Sequence, residues 1–150
     1  MNIIEIFEDC ISRYGSNPMI MEKQNNEYLS LSYQDIYNKV KKFSIGLLAL
    51  GIKPGDKVAL YADSGTDWLV AEFSLFCIKA VVVPLSQSMT DEQELKHCLL
   101  HSKCRGIVVS EKFYASISKM KDSLPSLNLI ILLAEYLGNE FDVVSSERVY

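Results

Sequence analysis

The chain has 150 residues, 49% of them apolar, and a formal net charge of −4, which suits one globular domain of the usual roughly 100–200 residues. Its basic residues are scattered, densest at Lys39, Lys41 and Lys42, so the basic stripe of a nucleic-acid-binding face is missing. The longest apolar runs, Ala80 to Leu85 and Leu129 to Ala134, fall far short of the ~18 residues that span a bilayer.

The first periodic segment runs from Ile3 to Tyr14, with Ile3, Ile4, Ile6, Phe7, Cys10 and Ile11 on one helical stripe and Gly15 with Pro18 ending it. Glu5, Glu8 and Asp9 interrupt that pattern, where a secretory leader would be basic and then unbroken. Met19 to Glu22 and Tyr28 to Leu31 have β character and flank Asn25-Asn26, a pair suited to the positive φ of a tight hairpin. Ser32 followed by Asp35 is a cap-like pair that opens a long helix at Tyr33. Ile36, Tyr37, Val40, Phe43, Ile45, Leu47, Leu48 and Leu50 give it an apolar pattern, Gly51 stops it, and Pro54-Gly55 turns the chain.

Lys57 to Ala62 reads as the first internal strand, and Ser64 with Asp67 as the cap of the next helix. Trp68, Leu69, Ala71, Phe73, Leu75, Phe76 and Ile78 make that helix apolar on most of its circumference, as expected for one buried between the sheet and another layer. Ala80 to Leu85 reads as a strand covered on both faces. Thr90 and Gln93 open a helix to His101, Gly106 to Val109 is a strand, Ser110 caps a helix to about Asp122, and Leu127 to Leu133 is the last strand. This alternation predicts an α/β fold: an open, mostly parallel sheet with helices on both faces, preceded by an N-terminal helix and a small β-ribbon. Residues 1–150 form a single domain in this reading, with its core at about 18–133 and an irregular, polar tail at 134–150.

Four cysteines, Cys10, Cys77, Cys98 and Cys104, lie among apolar residues without CxxC spacing and read as reduced core thiols, which places the chain in the cytoplasm. The loop Ala62-Asp63-Ser64-Gly65-Thr66-Asp67 precedes a helix N-terminus, where free amides can hold an anion such as phosphate. Asp63 and Asp67 oppose a further negative charge, and neither GxGxxG nor GxxxxGK with Ser or Thr is present, so the loop reads as a plain cap. His97, His101 and Cys104 share a helical face at i, i+4 and i+7, a chemically reasonable zinc set without a fourth ligand nearby. With Cys98 beside them, they read instead as two surface histidines and two core cysteines. Ser116-Ile117-Ser118-Lys119 matches S-x-x-K, but no S-D-N or K-T-G accompanies it, so both Ser116 and Lys119 read as solvated. An Asp63 phosphoacceptor would need an acidic pair and a distal lysine, which Ile20-Met21-Glu22 and the tail do not supply.

Leu31-Ser32-Tyr33, Leu47 to Ile52, Gly55-Asp56-Lys57-Val58-Ala59, Asp67-Trp68, Ala80 to Leu85, Thr90 to Leu95 and Ser102-Lys103-Cys104 follow one another in a distinctive order. They resemble the N-terminal region of the AMP-forming acyl-CoA synthetases, within the adenylate-forming enzyme superfamily. That region reads L-S/T-Y, A-x-x-L-x-x-x-G, G-D-x-V-A, E-W, G-A-V-x-V-P-L, S/T-x-E-E-L and D-S-x-A in turn. The chain departs from it where Lys79 replaces a glycine, His101 an acidic residue and Cys104 a small apolar one. Val83-Pro84-Leu85-Ser86-Gln87-Ser88-Met89-Thr90 lacks the Y-V-P-L-D-P run of the peptide-synthetase branch; together with Trp68 this points to the fatty or other carboxylic acid branch.

The resemblance implies an enzyme that joins a carboxylate to ATP, releases pyrophosphate, and passes the acyl group to coenzyme A, with Mg²⁺ assisting. The phosphate loop, acidic metal ligand, ribose-binding Asp and catalytic Lys of that family come later in its chain. The resemblance therefore assigns no catalytic, cofactor-binding or metal-binding residue here. The expectation is an N-terminal subdomain, inactive alone, of a long-chain fatty acid–CoA ligase. Its partner would be the rest of the same polypeptide, and an uncovered apolar face would favour self-association. The rival expectation is a free-standing small α/β binding domain without catalysis.

Overall fold

The computed structural model describes residues 2–133 and 144–145. Helix α1 (Ile3–Tyr14) opens on a capping box: Asn2 Oδ1 accepts from the amides of Ile4 and Glu5, while Glu5 Oε2 accepts from the Asn2 amide at 2.9 Å. Strands β1 (Pro18–Gln24) and β2 (Glu27–Ser32) then form an antiparallel ribbon. Its turn residues Asn25 and Asn26 have φ of 49° and 66°, as a two-residue hairpin whose twist matches its strands demands. Ser32 caps α2 (Tyr33–Ala49) as its spacing predicts: its Oγ accepts from the Asp35 amide at 3.1 Å, and Asp35 Oδ2 accepts from the Ser32 amide at 2.9 Å. The Ser32 hydroxyl, its amide and the charge of Lys39 together hold the Asp35 carboxyl below the usual carboxylate range.

The sheet follows as β3 (Lys57–Tyr61), α3 (Thr66–Cys77), β4 (Val81–Pro84), α4 (Glu92–Ser102), β5 (Gly106–Ser110), α5 (Glu111–Met120) and β6 (Leu129–Leu133). A two-residue strand β7 (Val144–Ser145) pairs antiparallel with β6. The strand order is β4-β3-β5-β6-β7, and β4, β3, β5 and β6 are mutually parallel. Alternate residues feed two cores. Val58 and Leu60 of β3, Val108 of β5 and Leu129, Ile131 and Leu133 of β6 meet α1, α2 and α3 on one face. Ala59, Tyr61, Ile107, Val109 and Ile130 meet Leu95 and Leu99 of α4 and Ile117 and Met120 of α5 on the other. Helices thus cover both faces, as the alternation predicts.

Two helices end in the same way with different residues. After α2, the Gly51 amide donates to Leu48 O (2.9 Å) and the Ile52 amide to Leu47 O (3.1 Å). After α3, the Lys79 amide donates to Phe76 O and the Ala80 amide to Leu75 O, both at 3.0 Å. This paired pattern requires left-handed backbone at the first residue past the cap. Gly51 adopts it at φ 87°, and Lys79, standing where the resembled family has glycine, is forced into it at φ 59°.

Several local expectations are corrected. The Ala80–Leu85 run is not covered on both faces. Strand β4 is the edge of the sheet, and Val81 is 46% exposed. Helix α3 buries Val70, Ala71, Ser74 and Leu75 but leaves Trp68, Leu69, Phe73 and Phe76 only half-buried. Of the four thiols, all free, Cys104 alone is buried; Cys10 and Cys98 are half-buried and Cys77 is exposed. Ser64 does not cap α3, whose N-cap is Gly65. The cap of α4 is Asp91, not Thr90, with Asp91 Oδ1 accepting from the Gln93 amide at 2.7 Å. Ser110 sits at the N-cap of α5 without a side-chain cap bond. The tail expected to be irregular lies outside the described residues except at Val144–Ser145, which are paired.

Replacing Lys79 with Gly should remove the side-chain penalty of left-handed backbone and raise stability by about 0.5–1 kcal/mol, read as a higher denaturation midpoint. Asp35 predicts a pH dependence. Because its folded carboxyl titrates below its ordinary value of 3.8, its stabilisation is present above that value and is lost as pH falls through the folded one. Urea titrations of wild type and Asp35→Asn should therefore differ at neutral pH and converge in acid.

Candidate functional site

In an open parallel sheet, ligands bind outside the carboxyl ends of the strands where the strand order reverses. Here the chain goes from β3 to its neighbour β4, then back across β3 to β5, so the reversal lies between β3 and β5. The parallel register sets Tyr61 beside Val109, and the residues that follow each strand converge. The Lys112 ammonium pairs with Asp63 Oδ1, and the Ser110 hydroxyl lies 3.4 Å from Asp63 Oδ2. The Gln87 amide, oriented to satisfy both its ends, accepts from the Ser64 amide at 2.7 Å and the Ser64 hydroxyl at 2.8 Å, and donates to Asp63 Oδ1 at 3.2 Å. Beneath this polar layer Tyr61 stacks on Phe113 with ring centroids 4.0 Å apart, and its hydroxyl donates to Met89 O at 2.8 Å. Burial raises the Tyr61 hydroxyl above its ordinary range, against the opposing charge of Lys112, so it stays a neutral donor.

Chemically this layer is a closed set of complementary partners. Asp63 is neutralised by Lys112, and the loop after β4 is tied to the loop after β3 through Gln87 and to β3 itself through Tyr61. The exposed pair adds little stability; its effect is to fix three loops relative to one another.

The residues singled out from sequence fall as follows. The Asp63–Asp67 loop does precede the α3 N-terminus, but the Thr66 amide donates to Glu22 Oε1 of the ribbon at 2.6 Å. A carboxylate already sits where an anion was considered. His97 and His101 stack on the exposed face of α4, ring centroids 6.1 Å apart. Cys104 lies past the left-handed Lys103 and is buried, its Sγ 3.1 Å from the Ser102 hydroxyl. Burial raises that thiol, more than the Ser102 contact lowers it. Among the described residues no group of three His, Cys, Asp or Glu could hold a metal ion. Ser116 is half-buried and Lys119 exposed on α5, correcting the reading of both as solvated. Asp63 does face a lysine, though it is Lys112, which follows β5. Sequence reasoning missed Glu22, Gln87, Ser110 and Lys112. For Ser110 and Lys112 a signal existed, since one ends and the other closely follows the strand that lies parallel to β3, near the level of Asp63.

Comparison with known proteins places this arrangement. Residues 7–146 match the family model for AMP-binding enzymes. The chain is 30% identical over 130 residues to a chloroplastic long-chain-fatty-acid–acyl-carrier-protein ligase of Arabidopsis thaliana, covering 86% of this chain and 18% of that protein. It is 28% identical over 138 residues to the crotonobetaine/carnitine–CoA ligase of Salmonella typhimurium, covering 91% of this chain and 26% of the relative. The chain therefore spans about a fifth to a quarter of the length of these curated relatives. Among solved structures, coronafacic acid ligase of Pectobacterium brasiliense superposes with a TM-score of 0.77 at 19% identity, over 91% of this chain and 26% of that one. A long-chain-fatty-acid–CoA ligase of Archaeoglobus fulgidus gives 0.74 at 16% identity, over 94% and 31%. These two likenesses establish the fold. The family match across nearly the whole chain establishes the lineage: this chain belongs to the AMP-binding enzyme family.

Proposed function

We propose that this chain is the N-terminal subdomain of an ATP-dependent, AMP-forming carboxylic acid ligase that activates long-chain fatty acids as acyl-adenylates. The observation that carries the reading is the match to AMP-binding enzymes over residues 7–146. The relative that is 30% identical, itself a long-chain-fatty-acid ligase, supports the choice of acid. In this reading ATP, Mg²⁺ and the acceptor thiol, coenzyme A, act on the whole protein. Asp63, a carboxylate at the carboxyl edge of the sheet, is paired with Lys112. In this reading the chain contributes no reacting group. It supplies one sheet-and-helix layer, core about 18–133, against which the rest of the polypeptide packs. Ile45 and Leu48, exposed by 60% and 51% on the outer side of α2, suit such packing and, without it, self-association. Four free cysteines support a reducing compartment, and we assign the protein to the cytoplasm.

Fatty-acid-dependent exchange of labelled pyrophosphate into ATP tests the assignment. Full-length protein should catalyse it with long-chain acids, and residues 1–150 alone should not. Exchange by the fragment, or none by the full-length protein with any carboxylate, would refute the reading. His97→Ala and His101→Ala in the full-length protein should leave both exchange and metal content unchanged. Loss of either would return the histidine–cysteine cluster to candidacy.

A further inference from the structure

The ribbon and the sheet domain are joined at one unusual place. Helix α3 has no side-chain cap of its own, because its N-cap is Gly65, so its first amides need an acceptor from elsewhere. Glu22, 44 positions earlier, supplies one: its Oε1 accepts from the Thr66 amide at 2.6 Å. A carboxylate at a helix N-terminus gains from the dipole as well as from the charge-assisted bond. The surroundings are shaped to admit it. A Cβ at position 65 would lie 3.1 Å from Glu22 Oε1, tighter than an ordinary contact. Thr66 is itself 6% exposed, and its buried hydroxyl has no hydrogen-bond partner among the described residues, so its bond to the incoming carboxylate is made by the backbone amide.

Position along the ribbon gives this bond its leverage. At the base, the Tyr33 amide donates to Asn17 O and the Gln34 amide to Gly15 O, while Met19, Ile20 and Leu31 pack on the core. Glu22 lies farther out, and beyond it Tyr28 is 69% exposed. A two-stranded ribbon is marginal without such support. The loop it grips is the one whose Asp63 pairs with Lys112 and whose Ser64 meets Gln87.

We propose that Glu22 is a latch: its carboxylate, seated on the α3 N-terminus, holds the outer β-ribbon against the sheet domain, and its release frees the ribbon without unfolding the sheet. This device is independent of the ligase reading. It is tested by amide hydrogen exchange on the full-length protein and two variants. Glu22→Asp keeps the charge but falls one methylene short of Thr66. Glu22→Gln keeps the reach and an acceptor oxygen but loses the charge. Exchange at Thr66 and along residues 20–31 should quicken by about tenfold or more in Glu22→Asp and by less in Glu22→Gln, given the strength of a charged hydrogen bond. Strands β3 and β5 should be unchanged. Unaltered exchange at Thr66 and the ribbon in Glu22→Asp would overturn the latch. So would an equal acceleration in β3 and β5, which would make Glu22 a support of the whole fold.

Discussion

Strand β3 is the constraint from which the rest of this structure follows. It is hydrogen-bonded on both sides, to β4 and β5, and its side chains must satisfy two cores at once: Val58 and Leu60 on one, Ala59 and Tyr61 on the other. All four are at most 2% exposed. Burying both faces requires helices above and below, and parallel neighbours require crossovers long enough to contain them. The reversal of strand order beside β3 then follows from α3 lying on one face and α4 and α5 on the other.

The same strand organises the carboxyl edge. Tyr61 is the last residue of β3, and its alternation toward the α4–α5 core lets its ring stack on Phe113 while its hydroxyl reaches the loop after β4. Asp63, two residues on, faces Lys112 and Ser110 because β5 runs parallel and in register. In many open α/β sheets this crevice takes a ligand. Here its polar groups are turned on one another, and the nearby helix end holds a carboxylate of the same chain. The crevice acts as a joint between loops.

What could be read from the sequence was what short spacing determines. The Asn25-Asn26 hairpin, the Ser32–Asp35 box and the stop at Gly51 each depend on residues within a few positions, and each was legible. The succession of apolar strand runs and amphipathic helical patterns predicted a sheet covered on both faces for the same reason. Features set by distant partners were not legible. Ser64 looked like a cap for α3, yet the acceptor comes from Glu22 on another element. Thr90 and Asp91 are adjacent residues that can both cap; the Thr90–Gln93 spacing pointed to the first, while Asp91, the stronger cap, is the one used. The run Val81-Val82-Val83 is as apolar as a central strand, but whether a strand is central depends on what lies beside it, and within this chain nothing described lies beyond β4.

That last case explains how the chain's ancestry can be plain while its chemistry is not. An apolar edge strand, a helix α3 with half-buried Trp68 and Phe73, and an α2 with Ile45 and Leu48 outward are poor economy for a domain that stands alone, since each leaves apolar area in water. They are ordinary for a layer within a larger protein, and this chain covers only about a fifth to a quarter of its relatives. Residues that hold a layer in place are fixed by packing and turns, and those patterns run through the chain in a recognisable order. Residues that react need only meet at one point in the finished fold and can be contributed by any part of it. A scaffold segment can therefore carry its family's signature in its turns and strand ends while polar pairs such as Asp63 with Lys112 and Glu22 with Thr66 bind its loops together.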